Sequence, residues 1–210
     1  MALATTKRDV RRAVSAALKA LTPSQVEAES LLAQNALLAS PLYQKADAVL
    51  CYLHFGSECH TRAIMEHAFG AGKRCYVPLM DPSDCSMRML QAHGMDDIDA
   101  FPKNKWGIAE PSDPLERQEA LLHFDAAATH IVVCPGLAFD REGRRMGRGK
   151  GYYDRYLSQF VAQAEQAGAA RPSIVGICLS VQMLEPGTIP TDDYDIAMDC
   201  VVDPSLCPSL

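Results

Sequence analysis

Four short apolar runs constrain what this chain can fold into: "AVLCYLH", "RCYVPL", "HIVVC" and "SIVGICL". Each is mostly apolar with at least one β-branched residue, too short for a helix, and without polar alternation. Strands of that kind are buried on both faces, as in a parallel sheet covered by helices above and below. The stretches between them carry helical periodicity, so the chain reads as α/β.

The spacing predicts strands over Ala48–His54, Arg74–Leu79, His130–Cys134, Ser173–Leu179 and Ala197–Val202, with a short one at Met87–Leu90. Thr22, Pro23 and Gln25 open a helix that runs to Ala39, as N-cap, first-turn proline and capping-box partner. Thr61 is the expected cap of a helix stopped at Gly70–Gly72. A short helix is expected up to Leu122, after the proline-punctuated loop "PKNKWGIAEPSDP". Another is expected over Gly151–Ala167, with Tyr152, Tyr156, Leu157 and Phe160 as its apolar stripe. No repeat or linker divides the 210 residues, which are read as one domain, 1–210.

The first helix has two readings. Val10, Val14, Leu18 and Leu21 form one apolar stripe, as in a docked helix. "MALATTKRDVRRAVSAALKAL" is also Ala-rich and basic with one acid, Asp9, like an organelle transit peptide. The retained helix is the reading taken, which expects a cytoplasmic protein and keeps a mitochondrial one as the alternative. Eight cysteines with no C-x-x-C pair, half of them inside apolar runs, are expected to be reduced and mostly buried. No histidine spacing suggests zinc.

Charge then isolates one segment. The chain carries 20 Lys and Arg against 26 Asp and Glu, a net charge of −6. That excludes a surface-wide basic field for nucleic acid, and no apolar run approaches membrane-spanning length. Yet "GRRMGRGKGYYDRY", residues 143–156, packs four glycines and five basic residues into fourteen positions. It follows a buried strand and leads into a helix, where ligands bind in open α/β sheets. Glycines let backbone N–H groups approach an anion, and the helix N-terminus adds free donors. Two readings stand: a phosphate cradle, or a solvated basic loop. Neither the Walker A spacing nor the dinucleotide G-x-G-x-x-G is present. Asp154, one turn into the helix, suits either a salt bridge or Mg²⁺ on bound phosphates. "PTDDYDIAMD" offers Asp192, Asp193, Asp195 and Asp199 near the same sheet edge.

The block "PGLAFDREGRRMGRGKGYYDRY", Pro135 to Tyr156, resembles the signature of the 5-formyltetrahydrofolate cyclo-ligase family, also called 5,10-methenyltetrahydrofolate synthetases. Shorter matches follow in order: "KRDVR", "LHFGSECHT", "KWGIAEP" and "IPTDDYDIAMD". The resemblance implies a three-layer α/β/α sandwich similar to the sugar-isomerase and CoA-transferase group. It implies ATP-dependent cyclisation of 5-formyltetrahydrofolate, with Mg²⁺, and a monomer with no nucleic-acid or membrane partner is expected. It places ATP against Lys7, Arg8, Asp9, Val10 and Arg11, and against Arg145, Met146, Gly147, Arg148, Gly149, Lys150, Gly151, Tyr152 and Tyr153. It places the folate against Leu53, Glu58 and Trp106, and against Arg148, Gly149, Lys150, Gly151 and Tyr152. Lys150, Arg148 and Arg145 become the catalytic cations, and Asp154 and Asp195 the metal ligands. Two positions depart from the pattern: Tyr194 stands where many relatives have histidine, and Cys59-His60 matches no family feature. The competing readings are a non-catalytic folate- or nucleotide-binding regulator and a sugar-phosphate isomerase on the same scaffold.

Overall fold

A computed structural model describes residues 6–104 and 107–206. Its strands are β1 (Ala48–Cys51), β2 (Arg74–Asp81), β3 (Ser86–Ala92), β4 (His130–Cys134), β5 (Ala138–Asp140), β6 (Arg145–Met146), β7 (Ser173–Ile177), β8 (Met183–Leu184) and β9 (Cys200–Val202). Its helices are α1 (Lys7–Ala20), α2 (Pro23–Ala39), α3 (Pro41–Gln44), α4 (Arg62–Gly70), α5 (Met95–Asp99) and α6 (Tyr152–Gln166). Six strands form one sheet in the order β3-β2-β1-β4-β7-β9. All neighbours are parallel except the β2–β3 hairpin at one edge.

The predicted two-sided burial is what makes the layers. Val49, Cys51, Ile131, Val133, Val175 and Ile177 pack into one core with Val10, Val14 and Leu18 of α1, Leu37 of α2 and Ile64 of α4. The alternate residues Ala48, Leu50, Val132, Cys134 and Ile174 pack into a second core with Tyr153, Tyr156, Leu157 and Phe160 of α6. The period-two pleat sends successive side chains to opposite faces, so helices must cover both. The docked stripe of α1 makes residues 7–20 part of the fold.

The predicted helix starts fare unequally. Thr22 closes a full capping box with Gln25 at the head of α2. Thr61 stands at the N-cap of α4 without a side-chain cap bond; its hydroxyl donates instead to the Tyr52 carbonyl at 2.7 Å. The first strand also stops at Cys51, before the expected His54, because the chain turns there: the Tyr52 hydroxyl bonds the Cys59 carbonyl at 2.7 Å. The last two strands are shorter than expected, ending at Ile177 and starting at Cys200.

No helix leads to Leu122. Residues 118–120 run along the outer edge of β3, with Gln91 N–H bonded to the Gln118 carbonyl and Ala120 N–H to the Met89 carbonyl. Pro111 and Pro114 break the segment, and Leu115 and Leu122 face solvent. The strip shields an edge strand that would otherwise be open to pairing. Residues 135–149, ahead of α6, contain a hairpin: β5 pairs antiparallel with β6 and parallel with β8, making a second, three-stranded sheet. Among the described residues no helix is long and apolar enough to cross a membrane.

Candidate active site

The strand order reverses direction at β1, whose neighbours are β2 on one side and β4 on the other. Loops leaving the carboxyl ends of β1 and β4 therefore diverge and open a crevice, the preferred ligand site of such sheets. A cavity of about 970 Å³ lies there. The loop after β1 supplies Phe55 and Glu58, and the segment after β4 supplies Pro135 to Leu137 and Arg145 to Gly151. α1 closes one side with Lys7 and Arg11.

The cradle is built from backbone. Gly151 precedes α6 in the left-handed conformation, φ 69°, and no side chain caps the helix. The first amides of α6 are thus left for a ligand, on the end of the helix that favours anions. Arg11 anchors the cradle from outside, its Nε donating to the Gly147 carbonyl at 3.0 Å. Lys150 is exposed at the cavity, and among the described residues no hydrogen bond or ion pair holds its ammonium.

Arg145 and Arg148, though both predicted as phosphate clamps, occupy different settings. Arg148 is 56% exposed, with its guanidinium 5.6 Å from the Phe55 ring centre and 3.8 Å from a Glu58 oxygen. Arg145 is 8% exposed and bonded to Asp154 Oδ1 at 2.8 Å and the Pro135 carbonyl at 3.4 Å. The salt-bridge reading of Asp154 is thus realised, and Arg145 orients Asp154 as well as lining the cavity. Asp154 Oδ1 also accepts from Ile196 N–H at 3.3 Å. That bond brings the segment bearing Asp195 beside α6. Asp195 and Asp192 both bind the Lys7 ammonium at 2.7 Å, and Tyr194 donates to Asp192 at 2.7 Å.

Other predicted residues lie elsewhere. The Val10 side chain is in the core, because it belongs to the docking stripe of α1. Asp9 pairs with Thr6 and Arg12 at the helix start, and Arg8 is exposed on the outer face; none of the three lines the cavity. Leu53 is half-buried against the core and also does not line it. Trp106 lies outside the described residues; Ile108, two positions on, does reach the cavity. Met146, Gly147, Gly149, Tyr152 and Tyr153 all line it. Sequence reading missed Met80 and Pro82, which carry no recognisable signal, and Arg155, which stood in plain view within the basic stretch.

Glu58 enters the cavity from the loop after β1, with the Arg148 guanidinium 3.8 Å away. Its side chain is 14% exposed, and burial raises its pKa to about 7, against the pull of the Phe55 N–H and Arg148. The carboxyl is thus poised to ionise for a ligand that donates hydrogen bonds. Folding holds its proton more tightly than the unfolded chain does. Its contribution to stability is therefore full below about 4.5 and is lost as pH rises through about 7. Glu58→Gln should then gain stability relative to the native chain between pH 5 and pH 8. Parallel thermal melts at the two pH values check this; an unchanged difference would show a carboxyl of ordinary pKa.

The 5-formyltetrahydrofolate cyclo-ligase family matches residues 4–204. The chain is 34% identical over 210 residues to the mitochondrial 5-formyltetrahydrofolate cyclo-ligase of Arabidopsis thaliana, covering 95% of this chain and 74% of that one. It is 31% identical over 196 residues to the 5-formyltetrahydrofolate cyclo-ligase of Mus musculus, covering 93% and 92%. The solved 5,10-methenyltetrahydrofolate synthetase of Aquifex aeolicus shares the fold, with a TM-score of 0.72 at 24% identity over 95% of this chain and 90% of that one.

Proposed function

The chain belongs to the 5-formyltetrahydrofolate cyclo-ligase family, and from that premise we propose that it converts 5-formyltetrahydrofolate and ATP to 5,10-methenyltetrahydrofolate, ADP and phosphate. It is an ATP-dependent ligase. The observation that carries the reaction is the cavity itself: an acidic chain turns Lys7, Arg11, Arg145, Arg148 and Lys150 toward one crevice, with the mostly buried Glu58 carboxyl beside Arg148.

The formyl oxygen is a poor leaving group. Transfer of the terminal phosphoryl group of ATP to that oxygen activates it. The neighbouring aniline nitrogen of the folate then attacks the formyl carbon and gives up its proton, and the oxygen departs within phosphate, which takes up that proton. Such a transfer needs positioning and charge neutralisation more than covalent help from the protein. Lys150 and Arg148 meet the migrating charge, and the amides from Gly147 to Tyr152 hold the phosphates. Arg145 acts chiefly by fixing Asp154. Glu58, once ionised, accepts N–H donors of the pterin edge, and Tyr152 borders both ligands. Lys7 and Arg11 reach the nucleotide from α1.

The residues fit Mg²⁺. Asp154 and Asp195 are hard oxygen donors, and Mg²⁺ takes one or two carboxylates with phosphate oxygens and waters completing its shell. Among the described residues no group of three or more His, Cys, Asp or Glu side chains could hold a metal ion. The ion would supply charge neutralisation on the bound triphosphate. Asp154→Asn should raise the half-saturating Mg²⁺ concentration on the order of tenfold, with excess Mg²⁺ restoring part of the turnover. Thermal melting should also show whether Arg145 has lost its partner. An unaltered Mg²⁺ requirement with a lowered melting temperature would leave Asp154 a salt-bridge residue alone.

The docked α1 is part of the folded chain, and free thiols suit any reducing compartment. The direct test of the reaction is the growth of methenyltetrahydrofolate absorbance from 5-formyltetrahydrofolate, with and without MgATP. A non-catalytic binder would show none.

A further inference from the structure

Arg155 lines the cavity, yet phosphate binding does not account for its contacts. It lies one residue past Asp154 on α6 and makes no ion pair among the described residues. Its Nε and one Nη both donate to the Cys85 carbonyl, and the same Nη donates to the Lys150 carbonyl at 2.7 Å. One guanidinium thus ties the β2–β3 turn to the phosphate cradle. The fork geometry matters, since a single ammonium offers no such fixed pair of donors.

Both ends of this tie bear on the site. Met80 and Pro82, at the β2 side of the turn, form part of the cavity wall. The turn is internally organised, with Ser83 bonded to Asp81 and Ser86 N–H to Asp84. Cys85 adopts φ 57°, a left-handed conformation that a non-glycine residue holds only when its surroundings impose it. The carbonyl offered to Arg155 belongs to that residue. At the other end, fixing the Lys150 carbonyl fixes the peptide that joins Lys150 to Gly151, and with it the start of α6. Gly151 also leaves room for the guanidinium, since a Cβ there would lie 3.1 Å from Arg155 Nη1.

The geometry points to Arg155 as a positioning residue that latches the β2–β3 turn to the Lys150 peptide, so that the cavity wall and the phosphate cradle are set together. The latch is independent of any ligand; its kinetic consequence rests on the reaction proposed above. The test is amide hydrogen exchange of the full chain, followed by kinetics. In Arg155→Gln, exchange over residues 82–86 should quicken about tenfold, while His130–Cys134 in the sheet centre stays at the native rate. The KM for 5-formyltetrahydrofolate should rise several-fold. Arg155→Lys keeps the charge without the fork and should recover less than half of the lost protection. Native exchange over 82–86 in Arg155→Gln would overturn the latch, as would native behaviour of Arg155→Lys in both measurements. Faster exchange with an unchanged KM would overturn the coupling to the site. A native enzyme inactive on 5-formyltetrahydrofolate would instead count against the reaction, leaving the exchange result to stand on its own.

Discussion

Lys150→Ala should lower kcat by about 10²-fold or more while changing the KM for 5-formyltetrahydrofolate only a few-fold. The size is that of removing one preorganised stabiliser of developing charge, about 3 kcal/mol. The asymmetry follows from where the ammonium sits. It projects from the cradle into the cavity, and among the described residues nothing engages it. Its removal breaks no internal bond, so the fold and the folate end of the cavity should survive. The charge matters most when negative charge migrates between ATP and the formyl oxygen, which is a transition-state interaction and falls on kcat. Arg148 offers a contrast: it sits beside Glu58 and Phe55, so Arg148→Ala should disturb KM and kcat together. Steady-state kinetics on both variants decide the matter. Near-native turnover in Lys150→Ala would remove it from the chemistry.

The layers of the fold were legible because burial on both faces leaves a plain mark: short apolar runs with no polar beat. The capping box of α2 was legible because its three residues are adjacent in sequence. The β5–β6 hairpin was not, because strands of three and two residues carry too little pattern to separate from a loop. In the site, the glycines and cations from Gly147 to Gly151 could be read from type and order alone. What could not be read is which cation is free. Arg145 and Lys150 carry the same sign five positions apart, yet burial commits one to Asp154 and leaves the other open. Nor does spacing reveal that Lys7 meets Asp192 and Asp195, since 185 and 188 residues separate them. Within "KRDVR", Lys7 and Arg11 line the cavity because four-residue spacing puts them on one helix face, while Val10 points into the core.

Gly143→Ala should be the most damaging small substitution in the chain, though residue 143 touches no ligand. Gly143 turns the β5–β6 hairpin with φ 82°, its N–H bonded to the Asp140 carbonyl at 3.1 Å. A left-handed residue with a side chain costs roughly 1–2 kcal/mol. Here a clash adds to that. A Cβ at this position would lie 2.3 Å from the Met198 carbonyl oxygen. That atom is backbone, and it cannot swing aside like a side-chain tip: Met198 N–H bonds the Gly143 carbonyl at 2.8 Å, so the two strands of chain are clasped together. Overpacking of this kind costs about 1–3 kcal/mol more, for a total of about 2–5 kcal/mol. The displaced segment also carries Ile196, whose N–H bonds Asp154, and Asp195, whose carboxylate bonds Lys7. Activity should therefore fall even at temperatures where Gly143→Ala remains folded, and the loss should show as a raised Mg²⁺ requirement. Gly70→Ala is the control. It ends α4 with ordinary backbone angles and open space around the added carbon, so it should be neutral or slightly stabilising. Urea unfolding of both variants measures the difference. A loss in Gly143→Ala no larger than that in Gly70→Ala would mean that the hairpin and the 196–199 segment yield freely, and that the clasp does not hold Asp195 in place.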